Sequence, residues 1–83
     1  MNQQEILTKL QDIITPYLEE SFEIKMETDL LKDLALNSVD YVNIITEVED
    51  FFQCLIDYKQ MSKIRSVTDL IHNLMEAQNE TNR

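Results

Sequence analysis

Asn37-Ser38-Val39-Asp40-Tyr41-Val42-Asn43-Ile44-Ile45-Thr46-Glu47-Val48-Glu49-Asp50-Phe51-Phe52-Gln53 is the stretch that decides the fold. Tyr41, Ile44, Ile45, Val48 and Phe52 recur at helical spacing and share one face, with Val42 and Phe51 at its margins. Asp40, Asn43, Glu47 and Asp50 line the opposite face. Asn37 and Ser38 are both good N-cap residues. The pattern predicts an amphipathic helix from about Ser38 to Gln53, apolar inside and acidic outside.

Upstream of it, residues 19–37 form a long connection. Phe22, Ile24 and Met26 alternate too briefly to argue for a sheet, and Thr28-Asp29-Leu30-Leu31-Lys32-Asp33-Leu34 can make a helical turn started by Thr28 or Asp29. A connection of this length in a small domain is functional or pinned by its own apolar residues; Phe22, Ile24, Leu30, Leu31 and Leu34 are placed to pin it. Before the connection, Ile6, Leu7, Leu10, Ile13, Ile14, Tyr17 and Leu18 define a first helix over about 3–18. Pro16 lacks a backbone N–H and clashes with the preceding turn, so the regular helix should stop or kink near Ile14 or Thr15.

Downstream, a short helix is expected around Tyr58–Ile64. The last helix is expected from about Val67 to Ala77, with Val67, Leu70, Ile71, Leu74 and Met75 as its buried stripe. Ser66 followed three residues later by Asp69 is a variant of the capping box. Residues 78–83 form a polar tail expected to fray. Glycine is absent and Pro16 is the only proline, so helix is favoured throughout. The expected architecture is all-α: a four-helix bundle of three main helices and a short third one, with a long first loop, in one domain spanning residues 1–83.

Composition narrows the function. The 83 residues carry 16 acidic against 7 basic side chains, a formal net charge of −9. Such a surface repels nucleic acid and anionic membrane and steers basic partners towards itself. Its self-repulsion favours a monomer and should be relieved by added salt. A chain this short buries only about 60–65% of the surface it exposes when unfolded, which leaves little room for a deep catalytic site. No signal-peptide pattern opens the sequence and no apolar run is long enough for a bilayer, so a cytosolic protein is expected. His72 is the only histidine and Cys54 the only cysteine, which excludes a His/Cys metal site; Cys54 reads as a buried structural thiol and His72 as a surface residue. Asp29 and Asp33 read as solvated surface, and Met26, Met61 and Met75 as core filler.

Ser38 stands where loop becomes helix. A helix N-terminus carries unsatisfied N–H groups and about half a positive charge, so it favours a phosphate nearby. Catalysis by this serine would need a base and an oxyanion hole, and no GxSxG motif is present.

Asp33-Leu34-Ala35-Leu36-Asn37-Ser38-Val39-Asp40, followed by Val42, Ile44, Ile45, Val48, Glu49 and Phe52, resembles the acyl carrier protein family, with its Asp-Ser-Leu signature and acidic helix closed by Phe. The resemblance continues through Ile56, Lys63-Ile64-Arg65-Ser66-Val67, Leu70 and Ile71. It implies a non-catalytic carrier: a 4′-phosphopantetheine arm on Ser38, loaded by a phosphopantetheinyl transferase, that holds acyl groups as thioesters. The carrier would shuttle them between acyl-transferring or condensing enzymes of fatty-acid or specialised, polyketide-like biosynthesis. Asn37, Val39, Asp40, Asn43, Glu47, Glu49 and Asp50 would form the face that docks to basic patches on those partners. Asn37 replaces the signature Asp, Val39 the usual Leu, and Ala35 a frequent Gly, so the loop is expected to need a different backbone path. Two other readings stand beside this one: an unmodified acidic interaction module, and an aminoacyl or peptidyl carrier.

Overall fold

A computed structural model of the chain describes the backbone of residues 1–81 and the side chains of residues 1–77. Four α-helices follow one another among the described residues: α1 Gln3–Ile14, α2 Ser38–Phe52, α3 Tyr58–Lys63 and α4 Val67–Thr81. No strand is present among the described residues beyond an isolated antiparallel bridge between Asp29 and Ser66. The expected all-α bundle with a short third helix and a long first connection is what forms.

Helix boundaries follow from capping chemistry. At the head of α1 the Asn2 Oδ1 accepts the Glu5 N–H at 2.9 Å while Glu5 Oε1 accepts the Asn2 N–H at 3.0 Å. Asp57 and Gln60 repeat the device on α3, and Ser66 and Asp69 repeat it on α4, where the sequence spacing of that last pair indicated it. Pro16 converts the end of the first helix into a 3₁₀ turn over Thr15–Tyr17, at the expected place. Helix α2 stops one residue earlier than expected because Gln53 turns left-handed (φ 54°, ψ 52°) and closes it with an N–H bond to the Glu49 carbonyl. Helix α4 continues past the expected end at Ala77 to Thr81; of the tail expected to fray, residues 82–83 lie outside the described residues.

One hydrophobic cluster holds the bundle. It joins Ile6, Leu10 and Ile14 of α1, the five expected residues of α2, and Val67, Leu70, Ile71 and Leu74 of α4. Helix α3 buries no residue fully; Met61 packs half-buried against the cluster. Met75 departs from expectation: at 37% exposed it lies outside the buried stripe, because Leu70, Ile71 and Leu74 already fill the inward arc of α4. The 77 side chains described include one ion pair, Lys9–Asp12 at 4.0 Å, and Lys9 also stands 4.6 Å over the half-exposed Phe51 ring.

The long connection is pinned by fewer apolar residues than expected and by more backbone pairing. Ile24, Leu30 and Leu34 are buried, whereas Phe22 and Leu31 are exposed at 39% and 45%. Polar contacts do the remaining fastening. The Gln11 carboxamide accepts the Ile24 N–H at 2.8 Å and donates to the Phe22 carbonyl at 2.9 Å. Carbonyls of Met26 and Thr28 accept the N–H groups of Thr68 and Val67, and the Arg65 carbonyl accepts the Leu30 N–H at 2.7 Å. The connection is therefore tied to α1 at its start and to the head of α4 in its middle. Both ties fix how residues 33–37 deliver the chain into α2.

Candidate functional site

Asp29 organises the approach to the site. Its Oδ1 accepts the N–H groups of Leu31 and Lys32 at 3.0 and 2.7 Å, and Asp33 Oδ2 accepts the Asp29 N–H at 2.8 Å. The two carboxylates are thus structural, not simply solvated. The Lys32 N–H bond is the main reason the Asp29 carboxyl titrates below its ordinary range. The turn that they close ends at Ala35, which adopts the left-handed conformation (φ 52°). Where a different backbone path was expected, alanine instead holds a left-handed conformation that a glycine would take freely, against the clash of its Cβ.

At the head of α2 the cap is Asn37 and not Ser38. Asn37 has extended backbone (φ −81°, ψ 169°), its Oδ1 accepts the Asp40 N–H at 2.8 Å, and its carbonyl accepts the Tyr41 N–H at 3.0 Å. Ser38 is consequently the first residue of the helix, exposed, with its hydroxyl bonded to no group among the described residues. The N–H groups of Ser38 and Val39 have no intrahelical partner at this end. An exposed hydroxyl beside two open N–H donors at the positive end of a helix dipole suits an oxygen that becomes part of a phosphodiester.

The other residues read from the sequence as a docking face divide by role. Asn37, Asn43, Glu47 and Asp50 are exposed, Val39 is 67% exposed, and Asp40 is half-buried. Glu49 turns partly inward: its Oε2 accepts the Ile56 N–H at 2.7 Å and braces the segment after α2. Beside it, half-buried Cys54 is less enclosed than expected; burial, with Glu49 second, pushes its thiol above the ordinary range. Glu47 accepts the Tyr17 hydroxyl, a bond that joins the end of the first helical segment to α2 and raises the phenol's pKa. Sequence spacing gave no sign of that pair, 30 residues apart.

Of the clefts that border α2, two flank the candidate site. The first, ≈370 Å³, lies between residues 17–22 and residues 33–37, with Asp40 on its wall. The second, ≈280 Å³, lies between α2 and α3 and is walled by Val42, Ile45, Ile56, Tyr58 and Met61. Among the described residues no group of three or more His, Cys, Asp or Glu side chains is placed to hold a metal ion, and no helix is long and apolar enough to cross a membrane. His72 is on the surface, as its position on α4 indicated.

These features define a small all-α bundle with an exposed serine at the head of an acidic helix. No family model matches the chain, but individual relatives do. The acyl carrier protein of Coprothermobacter proteolyticus is 38% identical over 68 residues, 82% of this chain and 79% of that one. That of Rubrobacter xylanophilus is 34% identical over 80 residues, 94% of this chain and 98% of that one. The crystal structure of the acyl carrier protein from Thermotoga maritima superposes with a TM-score of 0.81 at 26% identity, covering 94% of this chain and 92% of its own. The chain belongs to the acyl carrier protein family.

Proposed function

We propose that this protein carries acyl groups between enzymes on a 4′-phosphopantetheine arm esterified to Ser38. The observation that carries the proposal is the division of labour at the head of α2. Asn37 performs the capping, so Ser38 Oγ is exposed and unengaged while the helix dipole still favours a phosphate there. When bound, the group supplies a terminal thiol on which an acyl chain is held as a thioester. Ser38 Oγ supplies the ester oxygen, and the open N–H groups of Ser38 and Val39 offer donors to the phosphate. The apolar cleft between α2 and α3, with the pliable Met61 on its wall, gives this chain a surface suited to an aliphatic cargo.

Docking rests on Asn37, Val39, Asp40, Asn43, Glu47 and Asp50, exposed or half-exposed along α2. Exposed charge pairs are each worth only about 0.2–1 kcal/mol and are screened by salt, so several of them give fast, reversible association with a basic partner. Glu49 contributes to this face chiefly by bracing the turn behind it. A carrier of this kind catalyses nothing itself and works with a phosphopantetheinyl transferase and with acyl-transferring or condensing enzymes, in the cytoplasm. Intact-mass measurement after incubation with coenzyme A, Mg²⁺ and a broad-specificity phosphopantetheinyl transferase tests the proposal. One phosphopantetheine is expected on the wild-type chain and none on Ser38→Ala. No addition with several transferases would favour an unmodified acidic interaction module.

A further inference from the structure

We infer that the ≈370 Å³ cleft between residues 17–22 and residues 33–37 is a resting site for the pantetheine portion of the arm, an inference that rests on the assignment of Ser38 above. Its position is the first reason. Asn37 and Asp40, which bracket Ser38 in sequence, are both on the cleft wall, so a group tethered to Ser38 Oγ is held beside it at high effective concentration.

The second reason is chemical. A pantetheine chain alternates a dimethyl-substituted carbon and methylenes with two amides. The walls offer the matching alternation: partly exposed apolar surface from Tyr17, Leu18, Phe22 and Leu36, and polar groups from Ser21 and Asn37. The Ser21 hydroxyl and the Asn37 Nδ2 have no hydrogen-bond partner among the described residues, since only the Asn37 Oδ1 serves the cap. Amides of the arm would use those groups and cover the apolar ones. The cleft between α2 and α3 offers Val42, Ile45, Ile56 and Met61 instead, which suits a hydrocarbon better than an amide chain.

Charge gives the third reason. Glu19, Glu20, Asp33 and Asp40 also face the first cleft. They exclude anions, so the phosphate stays at the helix head while the uncharged chain enters, and they disfavour ionisation of a thiol placed among them. Tyr17, held to α2 by Glu47, fixes one wall.

The test compares ¹H–¹⁵N spectra of the ¹⁵N-labelled full chain before and after loading with phosphopantetheine, with loading first verified by intact mass. Amides of Leu18, Ser21, Phe22 and Leu36 are expected to shift along with those next to Ser38. In Ser21→Trp, which fills the exposed side of the cleft, the shifts at Leu18 and Phe22 should vanish and the arm thiol should be alkylated by iodoacetamide faster than in the wild type. Shifts confined to residues 37–41, or displaced to Val42, Thr46 and Met61, in a chain that has gained the mass would overturn this inference and leave the carrier function standing. Failure to gain the mass would overturn both.

Discussion

The Asn37 Oδ1 accepts the Asp40 N–H at 2.8 Å, and with that bond the residue before Ser38 takes over the cap that Ser38 would otherwise have to make. Unlike the other three helix heads, this one has no reciprocal side-chain bond, because Asp40 does not reach back. Asn37→Ala removes the whole cap, and a loss of about 1 kcal/mol in urea unfolding is expected. Asn37→Asp keeps the acceptor and adds a charge at the favourable end of the dipole, so it should be at least as stable as the wild type. Equal stability of all three chains would mean that the cap contributes nothing.

Ala35 is held at φ 52°, where a Cβ is unfavourable. Ala35→Gly is expected to raise stability by about 1 kcal/mol despite the greater freedom of glycine in the unfolded chain. Ala35→Val should lower it. Thermal unfolding of both variants checks the sign, and a destabilised glycine variant would contradict the strained conformation.

The Tyr41 hydroxyl is buried without a partner among the described residues, and burial raises its pKa. An unsatisfied buried hydroxyl costs about 1–3 kcal/mol, so Tyr41→Phe should stabilise the protein by about 1 kcal/mol. A clear loss of stability would show that the phenol oxygen has a partner in solution.

Asp69 should make stability depend on pH in a defined direction. The Arg65 N–H foremost, and then the Ser66 N–H, hold its carboxyl below the usual 3.8. With the folded value depressed, the contribution is fully present above the unfolded value and is lost as pH falls through the folded one. The difference in melting temperature between wild type and Asp69→Ala should be constant near neutrality and shrink below pH 3.8. A difference that grows on acidification would reverse the assigned sign.

What the sequence made legible was local. Tyr41, Ile44, Ile45, Val48 and Phe52 are buried as their spacing requires, and Ser66 and Asp69 cap α4 as a three-residue spacing allows. Pro16 ended the first helix for a reason visible in its own ring. What stayed hidden depends on pairs far apart in the chain. The Thr68 hydroxyl donates to the Met26 carbonyl across 42 residues, and that bond, with its neighbours, fastens the connection more than Phe22 or Leu31 does. No periodicity encodes it. Likewise the sequence offered both Asn37 and Ser38 as caps, and the backbone angles of Asn37 with its bond from the Asp40 N–H distinguish them.

Ser38 is the centre of the account, so the most direct measurement is fragmentation mass spectrometry of the proteolytic peptides covering Ser21, Ser38, Ser62 and Ser66 after treatment with coenzyme A and a phosphopantetheinyl transferase. The phosphopantetheine mass is predicted on Ser38, with the ejected pantetheine fragment diagnostic of the phosphodiester. The same mass on Ser21, Ser62 or Ser66, or its persistence in Ser38→Ala, would contradict the central claim.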